Sequence, residues 1–139
     1  MMAMQKPFTL QETLPTDLSA VNPFVERVSQ KLLNLAVNPD DIFKVKLALE
    51  EALTNAMRHG NAMDASRDVA VRIEADRSAV RIDVHDRGNG FDFRNVPDPT
   101  ASVRPSGRGV YLMRQIMDKV EFYDQGSGVV LKKNFSSSP

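Results

Sequence analysis

Cysteine is absent from the 139-residue chain. That removes a disulfide scaffold, a thiolate nucleophile and any cysteine-ligated zinc or iron–sulfur centre, and it agrees with a reducing cytoplasm. Histidine is scarce: His59 and His85 are the two present, too few for a histidine-rich metal site. No run of about eighteen apolar residues occurs, and Met1 to Leu10 has no apolar signal-peptide core, so the expectation is a cytoplasmic chain with no membrane partner. An excess of charge of one sign is missing as well. Eighteen basic residues balance eighteen acidic ones, so direct nucleic-acid binding, which usually rests on a basic surplus, finds no support in composition.

The residues that are present read as one folded domain over 1–139. Hydrophobic residues make up 42% and charged residues 26%, close to globular averages and unlike a disordered chain. No internal repeat or long linker divides it, and only the tail 136–139 reads as frayed. Pro7 to Leu14 reads as an edge strand. Thr16 or Asp17 is placed to cap a helix carrying Val21, Val25, Val28, Leu32 and Leu35 at helical spacing, with Pro23 near its start. Asn38 then caps a second helix, with Pro39 at its first position and Asp40 and Asp41 at its positive end. Ile42, Val45, Leu49, Ala52 and Ala56 form its apolar stripe, and His59-Gly60-Asn61 is the stop.

Two alternating runs follow, Val69, Val71, Ile73 and Val80, Ile82, Val84, joined through Arg77 and Ser78 as a hairpin. Periodicity is lost after Asp86 until about Ser106. A helix from Val110 to Asp118 comes next, then strands at Val120–Tyr123 and Val129–Leu131 around Gln125-Gly126-Ser127-Gly128. Neighbouring strands with short turns predict an α/β (α+β) two-layer sandwich, a mainly antiparallel sheet with helices on one face.

Three segments carry the chemistry. Glu51 and Asn55 stand four apart on the second helix and project from one face. A carboxylate there suits proton abstraction from a hydroxyl, and a carboxamide one turn away suits Mg²⁺, which takes few protein ligands besides phosphate oxygens and water. Asp86-Arg87-Gly88-Asn89-Gly90-Phe91 directly follows a strand. An ionised Asp only accepts hydrogen bonds, so Asp86 selects an amino group over a carbonyl, while Gly88 and Gly90 allow close backbone approach. Ser106-Gly107-Arg108-Gly109-Val110 opens a helix, where free N–H groups favour anions such as phosphates. The P-loop and Rossmann patterns are both absent. His59 reads as a helix-end or packing residue, Arg58 and Arg94 as solvated charges, and Leu112, Met113, Ile116 and Met117 as core and helix face.

Acid plus amide on a helix, Asp-x-Gly-x-Gly after a strand, a loop, then Gly-x-Gly at a helix: in this order the chain resembles the GHKL ATPase family of the Bergerat fold, from about Asp41 to Phe135. The short form Glu51-Ala-Leu-Thr-Asn55-Ala-x-x-His59-Gly60 is similar to the branch of serine-protein kinases that serve as anti-sigma factors, the RsbW and SpoIIAB type. The resemblance implies ATP or ADP with Mg²⁺ as cofactors, Glu51 as general base toward a protein serine or threonine, and Asn55 on Mg²⁺. It implies Asp86 on the adenine amino group, with Gly88 and Gly90 shaping the pocket. Gly107, Arg108 and Gly109, with Val110 after them, would surround the phosphates, and an ATP lid would span about 91–106. The substrate would be a STAS-domain anti-anti-sigma protein, the second partner a sigma factor or other effector, and a homodimer is compatible. Pro105 departs from the basic residue relatives often carry before Ser-Gly, leaving Arg104 and Arg108 as alternatives for the γ-phosphate. Two other readings stay open: a nucleotide-dependent sequestering module without phosphotransfer, and a histidine-kinase-like catalytic domain acting in trans.

Overall fold

Alternation of apolar and polar residues lays down the sheet. Val69, Val71 and Ile73 of strand β2 (Asp68–Ala75) and Val80, Ile82 and Val84 of β3 (Ala79–His85) are all buried, as a period of two with one covered face requires. The hairpin register pairs Ile73 with Ile82 and Val71 with Val84, so the large side chains share that face. Asp76 closes the turn by accepting the N–H groups of Ser78 and Ala79, the usual reason for an aspartate at such a position. The computed structural model describes residues 6–88 and 105–136, with the backbone alone for 105–107.

Strand β1 (Phe8–Pro15) adds at one edge, as expected, and β4 (Lys119–Tyr123) and β5 (Gly128–Asn134) complete the sheet. The order is β1-β2-β3-β5-β4, and every neighbouring pair is antiparallel. One face is water-facing, with Thr9, Gln11, Arg72 and Lys132 exposed. The other packs under three helices: α1 (Val21–Asn34), α2 (Pro39–Asn55) and α3 (Pro105–Ile116), with α2 contacting both of the others. Phe24, Leu49, Leu53, Ile73, Ile82 and Leu131 are among the fully buried side chains of the single core cluster.

Several boundaries differ from the sequence expectation. Asp17 accepts the Ser19 N–H and caps a 3₁₀ turn, Leu18–Ala20, rather than α1 itself. Thr16 caps nothing; its hydroxyl donates to the Arg67 carbonyl. Asn38 does cap α2, accepting the Asp41 N–H at 2.9 Å with Pro39 at the first helical position. The helix leaves α geometry at Asn55, however, and runs into a π turn, Ala56–Gly60, that ends at Asn61. The third helix begins at Pro105, five residues before Val110. Proline fits a first helical position because its missing N–H would have no partner there. Pro105 and Ser106, assigned by sequence to a lid over about 91–106, thus belong to α3; the rest of that span lies outside the described residues.

Asp41 and Lys133 tie the α2 start to the end of the chain. Both are almost fully buried, 4% and 7% exposed, with Nζ 3.8 Å from the carboxylate. Lys133 Nζ also donates to the Ile116 carbonyl, and Asp41 accepts from the Asn38 amide and the Ser136 N–H. Ser136, expected to belong to a frayed tail over 136–139, is therefore held; 137–139 lie outside the described residues.

Removing one partner strands the other charge in a dry site. Lys133→Met is expected to lower the unfolding free energy by about 3 kcal/mol. Asp41→Asn together with Lys133→Met is expected to cost clearly less than the sum of the two single changes. Urea unfolding of the three variants measures this coupling.

Candidate functional site

The α2 stripe that builds the core leaves Glu51 and Asn55 at its edge. Ala48, Leu49, Ala52, Leu53 and Ala56 are buried, whereas Glu51, Thr54 and Asn55 are half-buried, so the two candidate residues stand one turn apart at the rim of the core. Among the described residues the Asn55 carboxamide makes no hydrogen bond; Thr54 satisfies its own hydroxyl on the Glu50 carbonyl. Burial raises the Glu51 carboxyl above the ordinary glutamate range, and the neighbouring Glu50 adds to the rise. Arg58 pulls in the other direction. It is seven residues on, exposed, and forms no ion pair among the described residues. The sequence reads it as a solvated charge, yet its electrostatic reach includes the candidate base.

Asp86 lies where β3 leaves the sheet. Its N–H donates to the Ser127 carbonyl at 2.9 Å, which fixes the backbone against the β4–β5 turn. The side chain is 3% exposed, and Oδ1 accepts the Gly88 N–H at 2.7 Å. That N–H is the only hydrogen-bond donor to it among the described residues, although a carboxylate has room for about four. Burial is the leading influence and raises its pKa; the Gly88 bond, His85 and Arg67 oppose the rise. Gly60 of the π turn packs directly on this carboxylate: a Cβ there would fall inside it, and a Cβ on Gly88 would fall on the Gly60 carbonyl. The sequence marks Gly60 only as a stop signal. Its second task follows from the π turn, whose extra residue has no signature in the apolar pattern.

The glycine segment before Val110 is part of α3. In a helix beginning at Pro105 the unmatched N–H groups are those of Ser106 and Gly107, while those of Gly109 and Val110 enter the i to i−4 ladder. Val110 is fully buried and serves the core. Gly109 is buried too, and a Cβ on it would stand 2.6 Å from Glu51 Oε2. The missing side chain thus lets α3 close on the candidate base. Arg108 is exposed and makes no ion pair among the described residues.

The fold therefore joins two clusters through α2 and its π turn: Glu51 with Gly109, and Asp86 with Gly60 and Gly88. Gly90 lies outside the described residues, as does Arg104. A buried carboxylate with one donor has room to accept from a ligand N–H, and the glycines let backbone and helix pack closely around both carboxylates. A cavity of about 420 Å³ lies elsewhere. It sits at the other end of the sheet beside Phe8, Glu74, Arg81 and Lys132, and no candidate residue lines it.

Because burial raises the Asp86 pKa, the folded state holds this proton more tightly than the unfolded chain does. The stabilising effect is complete below the ordinary aspartate pKa and is lost as pH rises through the elevated folded value. Asp86→Asn keeps an acceptor for Gly88 and removes the buried charge. The variant is expected to melt at or above the wild-type temperature at pH 7, and to lose that advantage below about pH 4. Thermal melts across this range measure the crossover.

Comparison with known proteins places the chain in a family. The family described as Histidine kinase-like ATPase domain matches residues 12–133. The chain is 32% identical over 139 residues to the serine-protein kinase RsbW of Halalkalibacterium halodurans, covering 94% of this chain and 84% of the relative. It is 29% identical over 118 residues to an anti-sigma F factor of Clostridium perfringens, covering 79% and 84%. With the serine-protein kinase RsbW of Bacillus subtilis it shares 32% identity over 101 residues, 66% of this chain and 62% of that one. The crystal structure of the RsbU and RsbW domains of a Mycobacterium tuberculosis protein superposes with a TM-score of 0.63 at 19% identity, covering 94% of this chain and 34% of that chain, a likeness of fold. The chain belongs to the histidine kinase-like ATPase domain family, and with that membership it is a nucleotide-binding protein.

Proposed function

We propose that the chain is an ATP-dependent serine/threonine-protein kinase that phosphorylates a STAS-domain anti-anti-sigma protein and, in the same bacterial partner-switching circuit, holds a sigma factor or other effector. The observation that carries the catalytic part is the Glu51 carboxylate, half-buried, one helical turn from Asn55 and closed on by Gly109. The sequence-similar proteins named serine-protein kinase RsbW and anti-sigma F factor support the choice of partners.

In this reading ATP supplies the phosphoryl group and Mg²⁺ neutralises its charge. The chain's own residues position and deprotonate. Asp86 accepts a hydrogen bond from the adenine amino group, which guanine would replace by a carbonyl that Asp86 repels. Gly60 and Gly88 let the backbone close on that carboxylate and hold it still for the base. Among the described residues, the Asn55 oxygen would be the protein ligand offered to Mg²⁺. No group of three or more His, Cys, Asp or Glu among the described residues could hold an ion alone, and Mg²⁺ bound largely through phosphates and water needs none. The free N–H groups at the α3 start, with Arg108 and the N-terminal end of the helix dipole, attract the phosphates. Glu51 takes the proton from the attacking hydroxyl. Its raised pKa makes it a better proton acceptor at neutral pH than an ordinary glutamate, at no cost in ionisation while the pKa stays below the working pH.

The first test is thermal unfolding with Mg·ADP, Mg·GDP and the Asn55→Ala variant. Nucleotide at a hundred times its dissociation constant stabilises by about 2.7 kcal/mol, a shift of several degrees. The expected result is a shift with ADP alone, reduced in Asn55→Ala; none with either nucleotide would overturn the site. Incubation of a STAS partner with Mg·ATP is then expected to add about 80 Da as acid-stable phosphate, lost in Glu51→Ala. Nucleotide binding without any mass gain would favour a sequestering module, and acid-labile phosphate a histidine kinase in trans. The rate is also expected to fall on acidification, at a higher pH than an ordinary glutamate would give, since protonated Glu51 accepts no proton.

A further inference from the structure

Asn61 follows directly on the π turn and is completely buried, at 0% exposure. Its carboxamide is bonded at both ends. Nδ2 donates to Thr16 Oγ1 at 2.9 Å and to the Asp68 carbonyl at 3.1 Å; Oδ1 accepts the Arg87 N–H at 2.8 Å. Its own N–H donates to the Ala56 carbonyl at 2.7 Å and closes the π turn. A buried amide must be paired to be tolerated, and the two bonds from Nδ2 already join the end of β1 to the start of β2. The third bond does something different.

Arg87 stands between Asp86 and Gly88, and the three successive N–H groups have three different acceptors. The Asp86 N–H goes to the Ser127 carbonyl, the Arg87 N–H to Asn61 Oδ1, and the Gly88 N–H to Asp86 Oδ1. Among them only the middle acceptor is a side chain from a distant segment, 26 residues away. It is also the residue next to Gly60, on which the Asp86 carboxylate packs. Asn61 thus holds this loop from the peptide side while its neighbour limits the carboxylate from the other.

We infer that Asn61 is a positioning residue that sets the Asp86 carboxylate for the exocyclic amino group of a purine, and so determines base selectivity. The inference rests on the reading of Asp86 as the base-reading acceptor. A group that acts through Asp86 controls the ratio of affinities for 6-amino and 6-oxo purines. A group that only holds β1 to β2 lowers stability and leaves that ratio alone. Thr16→Val provides the comparison, because it withdraws the Thr16 hydroxyl from Asn61 and leaves the Arg87 bond in place.

The experiment measures dissociation constants for Mg·ADP and Mg·IDP, which differ at the 6-position, in wild type, Asn61→Ala, Thr16→Val and Asp86→Asn, at a temperature where each is folded. Wild type is expected to favour ADP strongly, since a site built around a hydrogen bond rejects the analogue that cannot make it. Asn61→Ala is expected to reduce the ADP-to-IDP ratio by about tenfold or more, most of it from weaker ADP binding. Thr16→Val is expected to lose thermal stability and keep the wild-type ratio. A wild-type ratio in Asn61→Ala, or an equal loss in Thr16→Val, would overturn the inference. Should Asn61→Ala not fold, Asn61→Ser, whose shorter side chain withdraws the acceptor from Arg87, is judged by the same ratio. Asp86→Asn separates the two layers: if it keeps the wild-type ratio, the reading of Asp86 fails; if it loses the ratio while the Asn61 variants keep it, only the positioning role fails.

Discussion

The close approach of Gly60 to the Asp86 carboxylate is the constraint on which the site depends. It brings the end of α2 onto the end of β3, elements whose contact residues are 26 positions apart in sequence. Any side chain larger than hydrogen at Gly60 would have to displace the carboxylate or the π turn. The turn is held by its own packing: Ala56 and Met57 are buried, and Asn61 closes it from beyond. A change of helical pitch at Asn55 is therefore a geometric device. It carries the chain from the Glu51–Asn55 face to the Asp86 loop without a break in the helix, and π turns are often found at functional sites.

The two carboxylates show how burial divides labour. Glu51 and Asp86 are both raised by loss of water, but their remaining neighbours differ. Glu51 has a like charge at Glu50 and a cation at Arg58 within electrostatic reach, with Gly109 against it. Such a group accepts a proton more readily than an ordinary glutamate does. Asp86 is tied by a backbone N–H and enclosed by backbone, an arrangement suited to holding an acceptor still. Each ionised carboxylate carries a desolvation cost that a purely structural core would avoid. The sheet and the α2 stripe supply the stability against which that cost is set.

The sequence by itself determined the elements and the candidate residues that are periodic or locally capped. Val69, Val71, Ile73, Val80, Ile82 and Val84 alternate because one sheet face is covered, and all six are buried. Asn38, Pro39 and Asp41 mark the start of α2 through bonds made within four residues. The i,i+4 placement of Glu51 and Asn55 follows from helix pitch alone. Tertiary structure decided what depends on meetings between distant segments. Asn61 reads as part of a helix stop in sequence, and its carboxamide gains meaning only when Thr16, Asp68 and Arg87 converge on it. The early start of α3 turns two glycines expected before a helix into helical residues, one of them giving room to Glu51. The pitch change after Asn55 leaves no mark on the apolar stripe. Local rules govern neighbours along the chain, whereas close backbone approach and amide pairing are settled only when the whole core is packed.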